Sequence, residues 1–120
     1  MTRITRSADC GNSPKNAKVQ DLGLALECAA GLDVNLLPGA VWHRADGVVL
    51  TGADAIDGAL SGTAPTEVTV ETAIAHGKVG CVAGRTVGAD GQARRFCHVL
   101  TFATATAAAL ARIESYGTAG

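Results

Sequence analysis

A histidine within a hydrophobic strand pattern is the residue of this sequence best suited to chemistry. Residues 94–102 alternate as a β-strand does, which places Phe96, His98, Leu100 and Phe102 on one face. Three of these four side chains are large and apolar, so the face is predicted to be buried. An imidazole there needs a hydrogen-bond partner, because burying it unpaired costs about 1–3 kcal/mol. His98 is either a core histidine bonded to a backbone carbonyl or a polar group that orients or protonates a ligand in a cavity.

His43 is the second candidate for proton transfer. It follows Trp42, the only tryptophan, on a short predicted strand where successive side chains face opposite sides. Trp42 is expected in the core, which turns His43 outward, although at a curved edge or a pocket mouth both can be partly buried. One histidine can accept a proton while another donates one near neutral pH. We therefore predict His98 and His43 as the catalytic residues.

The four cysteines do not form a recognisable metal or redox motif. Cys10, Cys28, Cys81 and Cys97 are scattered, with no C-x-x-C pair. Cys97 and His98 are adjacent, so in a strand they point to opposite faces and cannot share one metal. We predict reduced, mostly buried thiols, no metal site and no cofactor; the alternative is a chance disulfide or a reactive thiol at Cys10.

Composition excludes several classes of protein. The 120 residues are 48% hydrophobic and 18% charged, which is typical of one globular domain. Ten basic and eleven acidic residues give a net charge of −1, so nucleic-acid binding by phosphate neutralisation is not expected. No apolar run has the length of a membrane span, and no secretion signal is indicated. We expect a cytoplasmic protein with a flexible segment over residues 1–12 and one domain over 13–120.

The first half of the chain predicts helices around a short hairpin. Ser13-Pro14 is a helix start, and Gly31 is the predicted helix end. Asp33 is predicted to cap a second short helix through Leu37, which Pro38-Gly39 ends. Residues 40–44 and 48–51 are predicted strands around an Asp46-Gly47 turn, with residues 48–51 alternatively an extended loop. Residues 53–60 predict a further short helix.

The second half predicts consecutive strands. Residues 67–74 alternate apolar and polar side chains, and strands over 79–87, 94–102 and 110–116 follow. Between the last two, the alanine-rich run 103–109 is either a helical turn or a loose connection. Helices followed by hairpin strands indicate an α+β fold, in which helices cover one face of an antiparallel sheet.

Four stretches together resemble the nuclear transport factor 2-like superfamily, in its SnoaL-like branch. Ser13-Pro14 opens the first helix, and Ala30-Gly31-Leu32-Asp33, which follows it, is similar to the family's "gD" junction. Trp42 followed by Gly52-Ala53-Asp54-Ala55-Ile56 is similar to its "W … G-x-x-A-I" segment. Residues 96–102 and 110–116 are similar to its "F-C-H-V-x-x-F" and "I-x-x-I-x-S-Y" strands.

The resemblance implies a cone, in which a strongly curved antiparallel sheet wraps around the helices and leaves an apolar pocket. It also implies a homodimer and a small apolar ligand. The residues that we expect to line the pocket are Trp42, Phe96, Leu100, Phe102 and Tyr116. In steroid isomerases of this superfamily the general base falls near His43 and a protonated carboxylic acid aligns with His98. This sequence has histidines at both places and no tyrosine in its first helix.

Two functions remain open at this point. One is an isomerase- or cyclase-like enzyme that transfers protons on an apolar carbonyl ligand. The other is a non-catalytic ligand-binding or assembly module with the same fold. Epoxide hydrolases of the superfamily suggest a further set, Arg85 with Asp46, Asp54 or Asp57, although a solvated or salt-bridged Arg85 is the simpler interpretation.

Overall fold

The computed structural model describes residues 2–8, 13–60 and 62–119. Within these residues, two helices and seven strands follow one another along the chain. They are β1 (Arg3–Thr5), α1 (Pro14–Glu27), β2 (Asn35–His43), β3 (Val49–Thr51), α2 (Ala53–Ala59), β4 (Glu67–His76), β5 (Val79–Val87), β6 (Ala93–Phe102) and β7 (Ala109–Ala119).

The strands form one curved sheet in the order β1-β4-β5-β6-β7-β2-β3. The run from β4 to β7 is an antiparallel meander and β2–β3 is an antiparallel hairpin, as predicted. The pairs β1–β4 and β2–β7 are parallel, which the sequence did not indicate. The predicted α+β class with a cone-shaped sheet and helices on its inner side is confirmed.

Helix α1 begins as the sequence predicts and packs closely on the sheet. The Ser13 hydroxyl accepts a hydrogen bond from the Asn16 N–H at 3.2 Å, and Pro14 occupies the first turn. A Cβ on Gly23 would lie 2.4 Å from a methyl carbon of Val82, and one on Gly80 would lie 2.5 Å from a methyl carbon of Val19. These two glycines therefore allow α1 and β5 to touch.

The helix ends before the predicted Gly31. Its last residue is Glu27, and Ala29 has a left-handed φ of 54° while the Ala30 N–H bonds back to the Ala25 carbonyl at 2.9 Å. This is the Schellman arrangement, in which glycine is the usual left-handed residue. Alanine occupies that place here, so the sequence did not indicate the true end.

The predicted short helix over residues 33–37 is wrong. Asn35 and Leu36 belong to β2 and pair in parallel with Ala109 and Leu110 of β7. The pairing shifts register between Leu36 and Val41, and Pro38, which has no N–H to donate, lies in that irregular stretch. A short apolar run does not distinguish helix from strand, and its partner is over seventy residues away.

Residues 3–5 form an edge strand within the segment predicted to be flexible. They pair with residues 67–69 of β4, and the Gln20 side chain of α1 accepts a hydrogen bond from the Ser7 N–H at 2.7 Å. Both contacts join distant parts of the sequence, so no local pattern could reveal them. Cys10 and residues 9–12 lie outside the described part of the chain.

The core lies between the helices and the inner face of the sheet. Its largest fully buried side chains are Phe102, Ile56, Leu100, Leu110, Ile113, Val19, Val68 and Val82. Among the described residues, neither helix is long and apolar enough to cross a membrane.

Candidate functional site

His98 lies on the inner face of β6, as the alternation of this strand predicted, and the candidate site is built around it. His98 lies directly opposite Val82 of β5 and Ser115 of β7, and it is 4% exposed. Its ring packs beside that of Phe96, with 5.4 Å between centroids. Cys97 points to the outer face, so the two neighbours separate as expected.

Four polar side chains form a continuous chain of hydrogen bonds through this histidine. Trp42 Nε1 donates to Ser115 Oγ at 2.8 Å, and Ser115 Oγ lies 2.7 Å from His98 Nδ1. On the other side of the ring, His98 Nε2 lies 2.6 Å from Glu27 Oε2. Buried imidazole, hydroxyl and indole groups are thus all paired.

For a neutral imidazole, one arrangement of hydrogens gives every donor of this network an acceptor. Ser115 Oγ accepts from the indole, and its own hydrogen has an acceptor if it donates to His98 Nδ1. Nδ1 then carries no hydrogen, so the ring hydrogen is on Nε2 and donates to the Glu27 carboxylate. In this arrangement each donor hydrogen of the hydrogen-bond network has an acceptor, and His98 donates its Nε2–H to Glu27.

Glu27 is the functional candidate that sequence reasoning missed. It is the last residue of α1, and its side chain is 18% exposed. Val19, Gly23 and Glu27 are spaced by four residues, which places them in one row along the helix. Because Val19 and Gly23 contact β5, the next position in that row reaches the sheet one turn later. A glutamate on this buried row was the signal available in the sequence.

Three of the four network residues, Glu27, His98 and Ser115, line an open groove of about 740 Å³. Phe96 forms part of its wall between two glycines, because Gly84 and Gly117 are its neighbours on the adjacent strands. Six side chains that could contact a ligand line this groove: Glu27, Thr86, Arg94, Phe96, His98 and Ser115. The site is a groove at one end of the sheet with an acid and an imidazole on its wall.

His43 does not join His98. Trp42 turns inward and is 6% exposed, so its neighbour on β2 faces the other side of the sheet. His43 lines a neighbouring groove, which shares Ala45, Ser115, Tyr116 and Gly117 with the first, and it does not line the groove that holds His98. The predicted pair of histidines is therefore not brought together, and the carboxylate of Glu27 stands beside His98 instead.

The predicted pocket residues divide into three groups. Phe96 lines the groove. Leu100 and Phe102 are 0% and 1% exposed and fill the core beneath it, and Trp42 contributes its indole N–H to the network. Tyr116 is 55% exposed at the rim, where its hydroxyl donates to Glu114 Oε2 at 3.0 Å. That hydrogen bond raises the pKa of Tyr116, so the phenol stays protonated.

Arg85 is a salt-bridged surface arginine, which is the simpler of the two interpretations given above. It is exposed on the outer face, where Arg85 and Arg95 both approach the carboxylate of Glu71, at 3.7 Å and 2.6 Å. Asp54 lies in the first turn of α2, where a negative charge suits the helix dipole. The Asp–Arg–Asp set is therefore not assembled around Arg85. Among the described residues, no three His, Cys, Asp or Glu side chains cluster as metal ligands do.

Comparison with known proteins identifies the fold. Neither a family model nor a curated protein matches the sequence. Among solved structures, the chain is similar to an NTF-2 like protein of unknown function from Burkholderia xenovorans LB400, with a TM-score of 0.65 and 11% identity. The match covers 88% of this chain and 87% of that one. Seven strands curved over a long helix, with this neighbour, give the chain the nuclear transport factor 2-like fold.

Proposed function

We propose that this chain is a small-molecule enzyme of the SnoaL-like type, which transfers a proton on an apolar carbonyl ligand in the groove. Glu27 is the catalytic acid–base and His98 is the residue that positions it. The observation that carries the proposal is the 2.6 Å contact between His98 Nε2 and Glu27 Oε2 on the wall of an open groove. A carboxylate held there by a fixed donor is a suitable general base.

The proposed reaction is an isomerisation with no net change in protons. The Glu27 carboxylate takes a proton from the carbon beside the ligand carbonyl, and the electron pair moves onto the carbonyl oxygen to form an enolate. Glu27, now a carboxylic acid, returns the proton to a different carbon. His98 keeps its N–H on Oε2, so Oε1, which has no hydrogen-bond partner in the described chain, is available to the ligand.

The enolate oxygen needs a donor or a positive charge. Thr86 and Arg94 lie directly opposite each other on the inner faces of β5 and β6, and both line the groove. They are the groups we propose for the ligand oxygen or for a second anionic group on the ligand. They take the role of the first-helix tyrosine that this sequence lacks.

Deuterium exchange tests this proposal without knowledge of the natural substrate. β-Tetralone, an apolar bicyclic ketone, exchanges the hydrogens beside its carbonyl when a base removes them. In deuterated buffer the folded protein is expected to accelerate this exchange well above an equal concentration of free imidazole and acetate. An exchange rate no higher than that of the free groups would contradict proton transfer and favour the second candidate.

The second candidate is a non-catalytic ligand-binding module. It is favoured by the full pairing of Trp42, Ser115 and His98, which is also what a structural network shows. Binding of β-tetralone without exchange would identify this function. The groove is then a binding site whose polar wall selects the ligand.

Arg94 indicates what kind of ligand the groove selects. Arg94 and Phe96 are two residues apart on the inner face of β6. The groove also contains the carboxylates of Glu27 and Asp90, and among the described residues neither forms an ion pair with Arg94. Its neighbour Arg95 is held by Glu71 on the outer face. A free guanidinium at the end of an apolar groove favours ligands that combine an apolar body with an anionic group.

Replacing Arg94 with glutamine is expected to weaken binding of anilinonaphthalene sulfonate about tenfold, which corresponds to about 1.4 kcal/mol. Phenylnaphthylamine has the same rings without the sulfonate, so its binding is expected to stay unchanged. Both are measured by fluorescence titration, with Arg85→Gln on the outer face as the matched control. Equal losses for both dyes, or the same loss in the control, would contradict a role for Arg94 in anion selection.

We also propose a homodimer, the arrangement that the family resemblance implies. The outer face of the sheet leaves large side chains substantially exposed, among them Ile74 at 52%, Val79 at 46% and Tyr116 at 55%. Exposed apolar groups on a sheet face are suited to pairing with a second copy. Sedimentation equilibrium at micromolar concentration is expected to give twice the chain mass, and a monomer would remove the proposal.

A further inference from the structure

Two cysteines lie in contact on the outer face of the sheet. The Sγ atoms of Cys81 on β5 and Cys97 on β6 are 3.7 Å apart. The two residues are diagonal neighbours, because Cys81 is opposite Val99 and Cys97 is opposite Ala83. Both side chains are half-buried, and neighbouring antiparallel strands hold them in place. The fold thus brings together two thiols that are sixteen positions apart in the sequence.

We propose that Cys81 and Cys97 are a reversible dithiol–disulfide pair that exchanges with a low-molecular-weight disulfide. The thiolate of one cysteine attacks the small disulfide, forms a mixed disulfide and releases one small thiol. The other cysteine attacks that mixed disulfide, forms the Cys81–Cys97 bond and releases the second small thiol. The protein loses two hydrogens and two electrons, and the small disulfide gains them.

The bond requires movement of both the side chains and the strands. A disulfide has its sulfurs about 2.0 Å apart, so the two Sγ atoms must approach by about 1.7 Å from their 3.7 Å separation. Diagonal neighbours have Cα atoms about 7–8 Å apart, slightly more than a disulfide usually spans, so β5 and β6 must also shift locally. A bond that forms under such strain is easily reduced, which suits a reversible pair. The bond joins β5 to β6 one residue before His98, on the opposite face from the groove.

The surroundings of the two sulfurs indicate which one reacts first. Burial, followed by the hydrogen bond with Cys81, raises the pKa of Cys97 to about 11. Cys97 therefore keeps its proton at neutral pH, and the thiolate is the nucleophile in disulfide exchange. Cys81 is expected to attack the small disulfide, and Cys97 is expected to resolve the mixed disulfide.

The test uses the full chain with Cys10 and Cys28 replaced by alanine, which leaves this pair as the only thiols. Folded protein is incubated with excess oxidised glutathione until its free-thiol count is constant, then quenched in acid and mapped by mass spectrometry. We expect a bond between Cys81 and Cys97 within one chain, a higher melting temperature, and full reversal by dithiothreitol. In the same background, Cys97→Ser is expected to accumulate one glutathione at Cys81, and Cys81→Ser much less.

Three results would overturn the proposal. They are two free thiols at equilibrium, a bond between chains instead of within one, and a bond that forms only after urea unfolds the protein. Circular dichroism of each variant before the incubation establishes that the starting material is folded. The two serine variants separate the order of attack from the existence of the bond, since equal labelling of both would contradict only the order. None of these measurements depends on the proposed proton transfer. Ile74 and Tyr116 of the proposed dimer face are the cross-strand neighbours of Cys81 and Cys97, so the incubation is done below the concentration at which the chain dimerises.

Discussion

Replacing Glu27 with glutamine is expected to lower the rate of deuterium exchange into β-tetralone by about 10²–10⁴-fold, the usual contribution of a general base. The amide oxygen of glutamine still accepts the hydrogen bond from His98 Nε2, which lies 2.6 Å from the carboxylate in the wild type. The amide cannot take a proton from carbon at neutral pH. The substitution therefore removes the base and keeps the contact, so the melting temperature is expected to change little.

The matched control is His43→Gln, which changes a histidine on the other side of the sheet. It is expected to exchange at the wild-type rate, because His43 does not reach the groove. Wild-type exchange in Glu27→Gln would show that the carboxylate is structural. A large loss in His43→Gln would restore the pair of histidines as the proton-transfer groups.

Among the substitutions proposed here, replacing Gly84 with alanine is expected to lower the free energy of unfolding most. A Cβ there would lie 1.9 Å from the carbonyl oxygen of Thr69 on β4. The obstacle is backbone, which cannot rotate away as a side chain can, so β4 and β5 must separate. We expect the free energy of unfolding to fall by about 3 kcal/mol, the upper part of the range for overpacked cores. The melting temperature is then expected to fall by about 10–20 °C.

Gly39→Ala is the control for this prediction. Gly39 lies in β2, and a Cβ there would meet no heavy atom within 4 Å. Urea unfolding of both variants, followed by circular dichroism, gives the two free energies. A loss in Gly84→Ala no larger than in Gly39→Ala would show that β4 and β5 can separate at little cost, and the close approach would no longer explain the glycine.

The elements with local signals were predictable from the sequence. Ser13-Pro14 marks the start of α1, and the period-two alternation of residues 94–102 marks β6 and the inner position of His98. The signals failed where distant contacts decide the conformation. Residues 35–36 became strand because β7 pairs with them, and residues 3–5 became strand because β4 does.

Of the two central site residues, the sequence predicts the position of His98 and not that of Glu27. His98 follows from the alternation of its own strand, whereas its partner comes from α1, seventy-one positions away. The row of Val19, Gly23 and Glu27 shows that a helix face reaches the sheet, yet it does not show which strand it meets. The close contact of Gly23 with Val82 sets that position, because Val82 and His98 are neighbours on β5 and β6.

Long-range proton–nitrogen correlation spectra of histidine-labelled protein test the contact between Glu27 and His98 most directly, because they show which ring nitrogen carries the hydrogen. We expect His98 to carry it on Nε2, and we expect this resonance to move when β-tetralone binds and when Glu27 is replaced by glutamine. His43 and His76 are internal controls, expected to respond to neither change. A hydrogen on Nδ1 of His98, or an Nε2 resonance that responds to neither change, would contradict the proposed site.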